Sequence, residues 1–275
     1  MLIDHIGYYF GSWLPSDLYF TLRALGRLSF PIFAFYIALG YRRTSHLGRY
    51  FMRLICFALV SEVIIRKSHE LAGYLTKGTN VLFTFVASLG FISGWVLLTN
   101  SWRDRVARLE LLTDCGGNTD NHSYFQVKFT PGDISLPPLL GMVLGTCAMI
   151  ISLFAVTYLK SDYEIYGILT VFVFHLVQTK HQNETNLTKM LNNSLVYLIT
   201  LNVLTLIGYH LLLKQPQEYN YVQLLSIMSV FVIYSPHPGR LALYGKRPSA
   251  WKQYLWYVFY PSHIFLLCLI VYLIR

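Results

Sequence analysis

Charge is scarce in this sequence. Asp, Glu, Lys and Arg make up 13% of its 275 residues, about half the share in an ordinary soluble domain. That is too little to coat a water-facing surface, and 55% hydrophobic residues are too many for one core. Paired cysteine motifs are absent too. Cys56, Cys115, Cys147 and Cys268 form no CxxC, and three of them lie inside apolar runs. They read as small hydrophobes rather than metal ligands or a disulfide framework. No cleavable signal peptide is expected, because the first apolar stretch contains Asp4 and His5 and lacks a basic flank. There is no internal repeat, low-complexity tract or linker dividing domains, so residues 1–275 read as one domain.

What is present is a series of solid apolar runs, with mean hydropathy +0.46. A transmembrane helix needs about 20 apolar residues to cross roughly 30 Å of hydrocarbon. Barrel strands would alternate apolar and polar over about ten positions, and a run such as Leu136 to Leu159 does not alternate. The expected fold is therefore all-α, a polytopic transmembrane helix bundle of eight or nine spans. The segments are Met1 to Leu14, Leu25 to Tyr41, Tyr50 to Ile65, Asn80 to Thr99, Leu136 to Leu159, Tyr163 to Thr179, Leu195 to Leu213, Tyr221 to Tyr234 and Trp251 to Ile274. A polar insertion, 100–135, separates the fourth from the fifth. Within it, Trp102, Val106 and Leu109 recur at helical spacing among Arg103, Arg105 and Arg108. Two readings stand for that piece: a helix lying in the membrane interface, or an extension of the preceding span.

The net charge of +9 does not indicate nucleic acid, because the Lys and Arg sit at the ends of apolar runs. With nine spans they fall 14 on one side, including Arg42, Arg43, Lys246 and Arg247, and 8 on the other, including Arg23, Arg27, Arg66 and Lys160. The richer side is expected to be cytoplasmic. If the short first segment does not span, the later loops keep their sides and only the amino terminus moves.

Ionisable groups inside spans cost about 2.5–3.5 kcal/mol each on insertion scales, so they mark candidate sites. Here they are Asp4, His5, Arg27, Glu62, His175, His210 and His263, with Asn80 and Asn202 as uncharged companions. Glu62 has Arg66 at i+4, the spacing of a helix-surface ion pair. His175 and His210 stand in apolar runs without a signature and read as structural. Arg27 lies four residues before Pro31, which frees the Arg27 carbonyl from the helix ladder; its side chain either snorkels or meets a carboxylate or anion. His263 lies twelve residues past Trp251, roughly 18 Å into the membrane at helical rise. Trp256 and Tyr260 share its helix face, and a bond to a carbonyl freed by Pro261 is the structural alternative.

Seven blocks in order resemble the TraX family. They are Met1 to Gly7, Gly26 to Phe35, Ser61-Glu62, Asn80 to Thr84, Asp162-Tyr163 with Gly167, Leu243 to Arg247, and Phe259 to His263. The family is named for a conjugative-plasmid membrane protein that acetylates the amino terminus of pilin. It is similar to a broader clan of multi-pass acyltransferases fed by cytosolic acyl-CoA. Two departures stand out. Family members carry about ten more residues before the Asp-His block, so the chain is expected to start at an internal methionine. An Asn-Gly after the penultimate-block tyrosine is partly missing, since Gly245 follows Tyr244.

The resemblance implies an integral plasma-membrane (bacterial inner-membrane) enzyme that transfers acetyl from acetyl-CoA to a hydroxyl or amine of a protein, glycan or lipid. Acetyl-CoA is then a co-substrate, no cofactor is permanently bound, no metal is expected, and the bilayer is the surroundings. His5, oriented by Asp4, is the expected base or acyl carrier, and His263 the second proton-handling group. Arg27 is expected at the oxyanion or a phosphate, with Glu62 and Asn80 shaping the site. Arg42, Arg43, Lys246 and Arg247 are expected at the phosphates of CoA. His5 and His263 are expected to meet, because two buried imidazoles without metal-ligand companions need shared partners. The alternative is a proton-coupled transporter or flippase built on the same His and Asp residues. A further alternative is a scaffold in a secretion or conjugation assembly.

Overall fold

The computed structural model describes residues 1–76, 78–114, 125–127, 134–182, 186–212, 221–235 and 250–274. Among these, five helical stretches are long and apolar enough to cross a membrane: Ser16–Arg43, Val81–Ala107, Pro138–Tyr158, Leu187–His210 and Tyr257–Ile274. That is fewer than the eight or nine segments the sequence suggested. The first segment differs for a plain reason. Its helix α1 (Leu2–Phe10) has nine residues and gives way to a 3-10 turn at Gly11–Trp13, so it rises only about 13 Å, less than half the hydrocarbon.

Helices α2 (Ser16–Arg27) and α3 (Ser29–Arg43) run on through Leu28, whose backbone stays right-handed helical. Pro31 sits at the third position of α3, close enough to the start that the helix absorbs its missing donor. Helix α4 (Leu47–Ala72) has 26 residues and ends at Gly73 in the left-handed conformation. Helix α5 (Val81–Asp114) is 34 residues long, about 51 Å at helical rise. The Trp102–Leu109 stretch is therefore a continuation of the preceding span, and the interfacial-helix alternative is set aside. Beyond it, strands β1 (Phe125–Val127) and β2 (Ile134–Leu136) pair antiparallel, with Phe125 opposite Leu136 and Val127 opposite Ile134. This short ladder is the one departure from the all-α expectation among the described residues.

Helices α6 (Pro138–Tyr158), α7 (Glu164–Lys180) and α8 (Leu187–Ile207) follow. Next come a 3-10 stretch (Tyr221–Met228), α9 (Ser229–Tyr234) and α10 (Ala250–Ile274). Helix α7 is the axle: Ile168, Val171, Phe174 and Val177 are fully buried, with α3, α5 and α8 packed around it. Helix α6 lies against α5 with close backbone approach. A Cβ on Gly145 would come within 2.7 Å of the Gly94 carbonyl, and one on Gly94 within 2.6 Å of the Gly145 carbonyl. Gly90 and Gly94, like Gly141 and Gly145, are spaced four apart, the small-residue pattern by which helices associate in lipid. The other face of α6 exposes Leu139, Val143, Ile150, Ile151 and Phe154, as a lipid-facing helix does.

Candidate functional site

A cavity of about 1260 Å³ opens between α1, the ends of α2 and α4, the start of α5, and the first turn of α7. Its rim is stitched from two turns. Thr79 N–H donates to the Lys160 carbonyl at 3.3 Å, and Asp162 N–H to the Thr79 carbonyl at 3.1 Å. The Thr84 hydroxyl adds a bond to the Asp162 carbonyl. Lys160, Tyr163 and Glu164 all adopt φ between 38° and 65°, the left-handed region that non-glycine residues avoid. Local strain of this kind gathers at binding and catalytic sites.

Helix α1 closes one side of the cavity because Gly26 lets it. A Cβ there would lie 2.2 Å from the Asp4 Cβ, so only glycine admits the approach. Asp4 is then reached by Arg23, whose Nη1 donates to Asp4 Oδ1 at 2.7 Å and to the Asp4 carbonyl at 3.3 Å. The expectation that Asp4 orients His5 is corrected: the Asp4 carboxylate holds Arg23 and anchors α1 to α2.

His5 is oriented by His263. Nδ1 of His5 lies 2.7 Å from Nε2 of His263, with ring planes 16° apart. Nδ1 of His263 lies 2.7 Å from the Phe259 carbonyl, which can only accept, so that nitrogen carries a proton. In the neutral pair the rest follows from the inventory of imidazole donors and acceptors. His263 Nε2 must accept, His5 Nδ1 must donate, and His5 Nε2 is left with a free lone pair. The carbonyl involved belongs to Phe259, not to Tyr257, the residue whose carbonyl Pro261 frees, so the proline explanation for His263 falls. The rings of Phe259 and Tyr260 flank His263 at 4.8 and 6.1 Å.

A tyrosine–histidine contact, unforeseen from the sequence, lies one turn along α1. The hydroxyl of Tyr9 and Nε2 of His69 are 2.6 Å apart, and His69 Nδ1 is 3.2 Å from the Thr76 hydroxyl. Tyr74 donates to the Tyr9 carbonyl at 2.8 Å.

Glu62 and Asn80 form the structural corner of the site. Glu62 Oε1 accepts from Arg66 at 2.6 Å, as its i+4 spacing suggested, while Oε2 accepts from the Asn80 backbone and side-chain N–H groups, both at 2.9 Å. Asn80 Oδ1 accepts from Leu82 N–H at 2.9 Å and so caps α5. Arg27 lines the cavity, and its Nε is buried without a hydrogen-bond partner. Asp162 was not singled out as a site residue. It is open to the cavity, yet the surrounding walls withhold bulk water. Burial first, then the carboxylates of Glu62 and Asp4, push its carboxyl up to about 6, with Arg27 pulling the other way. Phe30 stacks on Tyr163 with centroids 3.9 Å apart.

The remaining candidates lie elsewhere. Arg42 and Arg43 end α3, about 22 Å along the helix axis from Arg27, and neither lines the cavity. His175 is buried edge-on to Tyr41 at 5.4 Å, its Nδ1 without a hydrogen-bond partner, and Nε2 of His210 is 2.8 Å from the Tyr221 hydroxyl; neither lines the cavity. Lys246, Arg247 and Cys115 lie outside the described residues, as does the side chain of Trp256. No group of three or more metal-ligating side chains occurs among the described residues.

These features define a helical membrane protein with a polar, histidine-lined cavity. The family model described as TraX protein matches residues 1–112 of the 275, so the amino-terminal part of the chain is similar to that family. The matched part carries Asp4, His5, Arg27, Glu62 and Asn80. No curated protein and no solved structure matches the chain.

Proposed function

We propose that the chain is an acyltransferase that moves acetyl from acetyl-CoA to a hydroxyl or amine held in the cavity. The observation that carries this is His5 on the cavity wall with His263 bonded behind it, a tautomer chain that leaves His5 Nε2 as a base. As the acceptor's oxygen or nitrogen attacks the acetyl carbonyl, His5 Nε2 takes the acceptor's proton. The imidazolium so formed is stabilised through its Nδ1–H by the lone pair of His263. The tetrahedral oxyanion forms beside the Arg27 guanidinium, a fixed positive charge. When the C–S bond breaks, the departing thiolate takes the proton from His5. Acceptor and acetyl are joined, CoA leaves as the thiol, and His5 is restored.

The proposed setting is the bacterial inner membrane with eight crossings. They are the five long apolar stretches, α4, α7 and the Tyr221–Tyr234 segment, with α1 as a half-helix plug. On the positive-inside rule, the cavity then faces away from the cytoplasm, since Arg23, Arg27, Arg66 and Lys160 belong to the poorer side. Arg42 and Arg43 are cytosolic, where the phosphates of CoA are found, and the flexible arm of the donor reaches inward along α3 toward Arg27. A reporter placed near Asn118 is expected in the cytoplasm and one after Arg275 outside it.

The decisive experiment incubates the purified protein with acetyl-labelled acetyl-CoA. Label transferred to protein, acceptor or water, and lost in His5→Ala, supports the reading. A folded protein that neither binds nor cleaves the donor refutes it and leaves the transporter alternative.

A further inference from the structure

The cavity has two chemically different ends. The end beside α1 is charged: Asp4, Arg23, Arg27, Glu62 and Asp162. The other end presents neutral groups: Tyr166 of α7, Asn202 and Thr205 of α8, and Gln223 of the 3-10 stretch at 221–228. There the Tyr166 hydroxyl lies 3.1 Å from the Ser226 hydroxyl, and Asn202 Nδ2 donates to Tyr166 at 3.4 Å and to the Leu198 carbonyl at 2.8 Å. Two amide atoms are left over. Asn202 is 1% exposed and lines the cavity, yet its Oδ1 has no hydrogen-bond partner; Nε2 of Gln223, on the same wall, is buried and unpartnered as well.

An unpaired buried acceptor and an unpaired buried donor each carry a desolvation penalty of about 1–3 kcal/mol, so their persistence on one cavity wall marks a place for a ligand. The ligand must both donate and accept, and the Asn202, Gln223 and Tyr166 groups that would meet it are neutral, which suits an uncharged partner. A hydroxyl does both, and vicinal hydroxyls on a ring present the two functions side by side. Tyr163, Tyr166 and Phe30 supply aromatic surface at the boundary of the two ends, as an apolar ring face needs.

We infer that the neutral end of the cavity binds the ring of a carbohydrate through Asn202, Gln223 and Tyr166, whose hydroxyl is held from behind by Ser226. The ring's role as acyl acceptor rests on the acyltransferase reading; its binding does not. A ring seated there directs a hydroxyl toward the charged end, where His5 and Arg27 lie.

The test uses the full chain in lipid nanodiscs, because a maltoside detergent would offer a competing sugar. Cellobiose is the probe, and the blocked peptide acetyl-Gly-Gly-amide is the counterpart that also donates and accepts. Cellobiose is expected to raise the melting temperature by mass action and to show saturation transfer from the protein, while the peptide does neither. Asn202→Leu and Gln223→Leu are each expected to weaken cellobiose binding about fivefold, the effect of losing one neutral hydrogen bond. If Asn202→Leu fails to fold, Gln223→Leu at its more open position decides. Three results overturn the inference: a peptide response without a cellobiose response, unchanged affinity in a folded variant, or no response to either probe, which would assign the free amide atoms to water. A parallel titration with CoA separates the failures. A CoA shift without a cellobiose shift sinks only the carbohydrate site. A cellobiose shift without a CoA shift sinks the acyltransferase reading and leaves the carbohydrate site standing.

Discussion

His5 and His175 are both imidazoles in apolar helices, and the structure gives them opposite surroundings. His5 sits on a cavity wall, bonded to His263, which is bonded in turn to the Phe259 carbonyl. His175 is buried toward the other end of the bundle with Tyr41 edge-on and no share in the cavity. Burial alone therefore does not single out a working histidine. The difference lies in a fixed tautomer, which presents a free lone pair to a space that a substrate can enter.

The sharpest way to break this comparison is to remove each ring. His5→Ala is expected to lower acetyl transfer by about 10²–10⁴-fold, the usual loss of a general base, with the protein still inserting and purifying. His175→Ala is expected to keep the transfer rate and lose only stability. Equal losses in the two variants would mean that the tautomer chain carries no chemistry.

The next largest effect concerns how α1 delivers His5. Gly26→Val places carbon atoms where Asp4 now stands, and overpacking of this kind costs about 1–3 kcal/mol. Transfer should fall with it because α1 is displaced, and disulfide crosslinking between cysteines introduced on α1 and α2 should slow. Unaltered crosslinking would show that α1 docks by some other contact.

Asp4→Asn is a milder version of the same test. The Asp4–Arg23 pair is partly buried, with side chains 17% and 19% exposed, so it lies between the surface and buried regimes, and about 1 kcal/mol is expected. A purely anchoring Asp4 predicts that Asn lowers thermal stability more than it alters the pH profile of transfer. A profile shifted by a full unit would return Asp4 to the role of orienting His5.

The smallest effect belongs to Asp162. Its carboxyl titrates at about 6 in the folded protein, above the ordinary aspartate value near 3.9. The folded state therefore favours the protonated form. The stabilisation is full below the ordinary value and is lost as pH rises through about 6. Asp162→Asn should flatten the dependence of melting temperature on pH between about 4 and 6.5. A wild-type slope in the variant would assign that titration to another group.

The parts of the site that could be read from the sequence were those whose cost shows in one segment alone. His5, His263, Arg27 and Glu62 stood out because lipid penalises ionisable groups, and Asn80 because it opened an apolar run. Arg23, His69 and Asp162 did not stand out, each lying at a segment end where charge is unremarkable. Their importance comes from neighbours far along the chain: Asp4 for Arg23, Tyr9 for His69, and Glu62 and Arg27 for Asp162. The pairing of His5 with Asp4 failed for a local reason, since adjacent helix residues diverge by about 100°. The first segment read as a span because apolar composition shows that a stretch prefers lipid but not where its helix stops.

The joining of first and last helices has a consequence for how the protein is made. His5 emerges from the ribosome 258 positions ahead of its partner. At about 5–20 residues per second this leaves roughly 13–50 s in which α1 has no partner from α10. Until the final helix is threaded, the free lone pair has no fixed tautomer behind it. A chain stalled or clipped before α10 thus lacks the histidine pair, and on the acyltransferase reading completion of translation itself assembles the site.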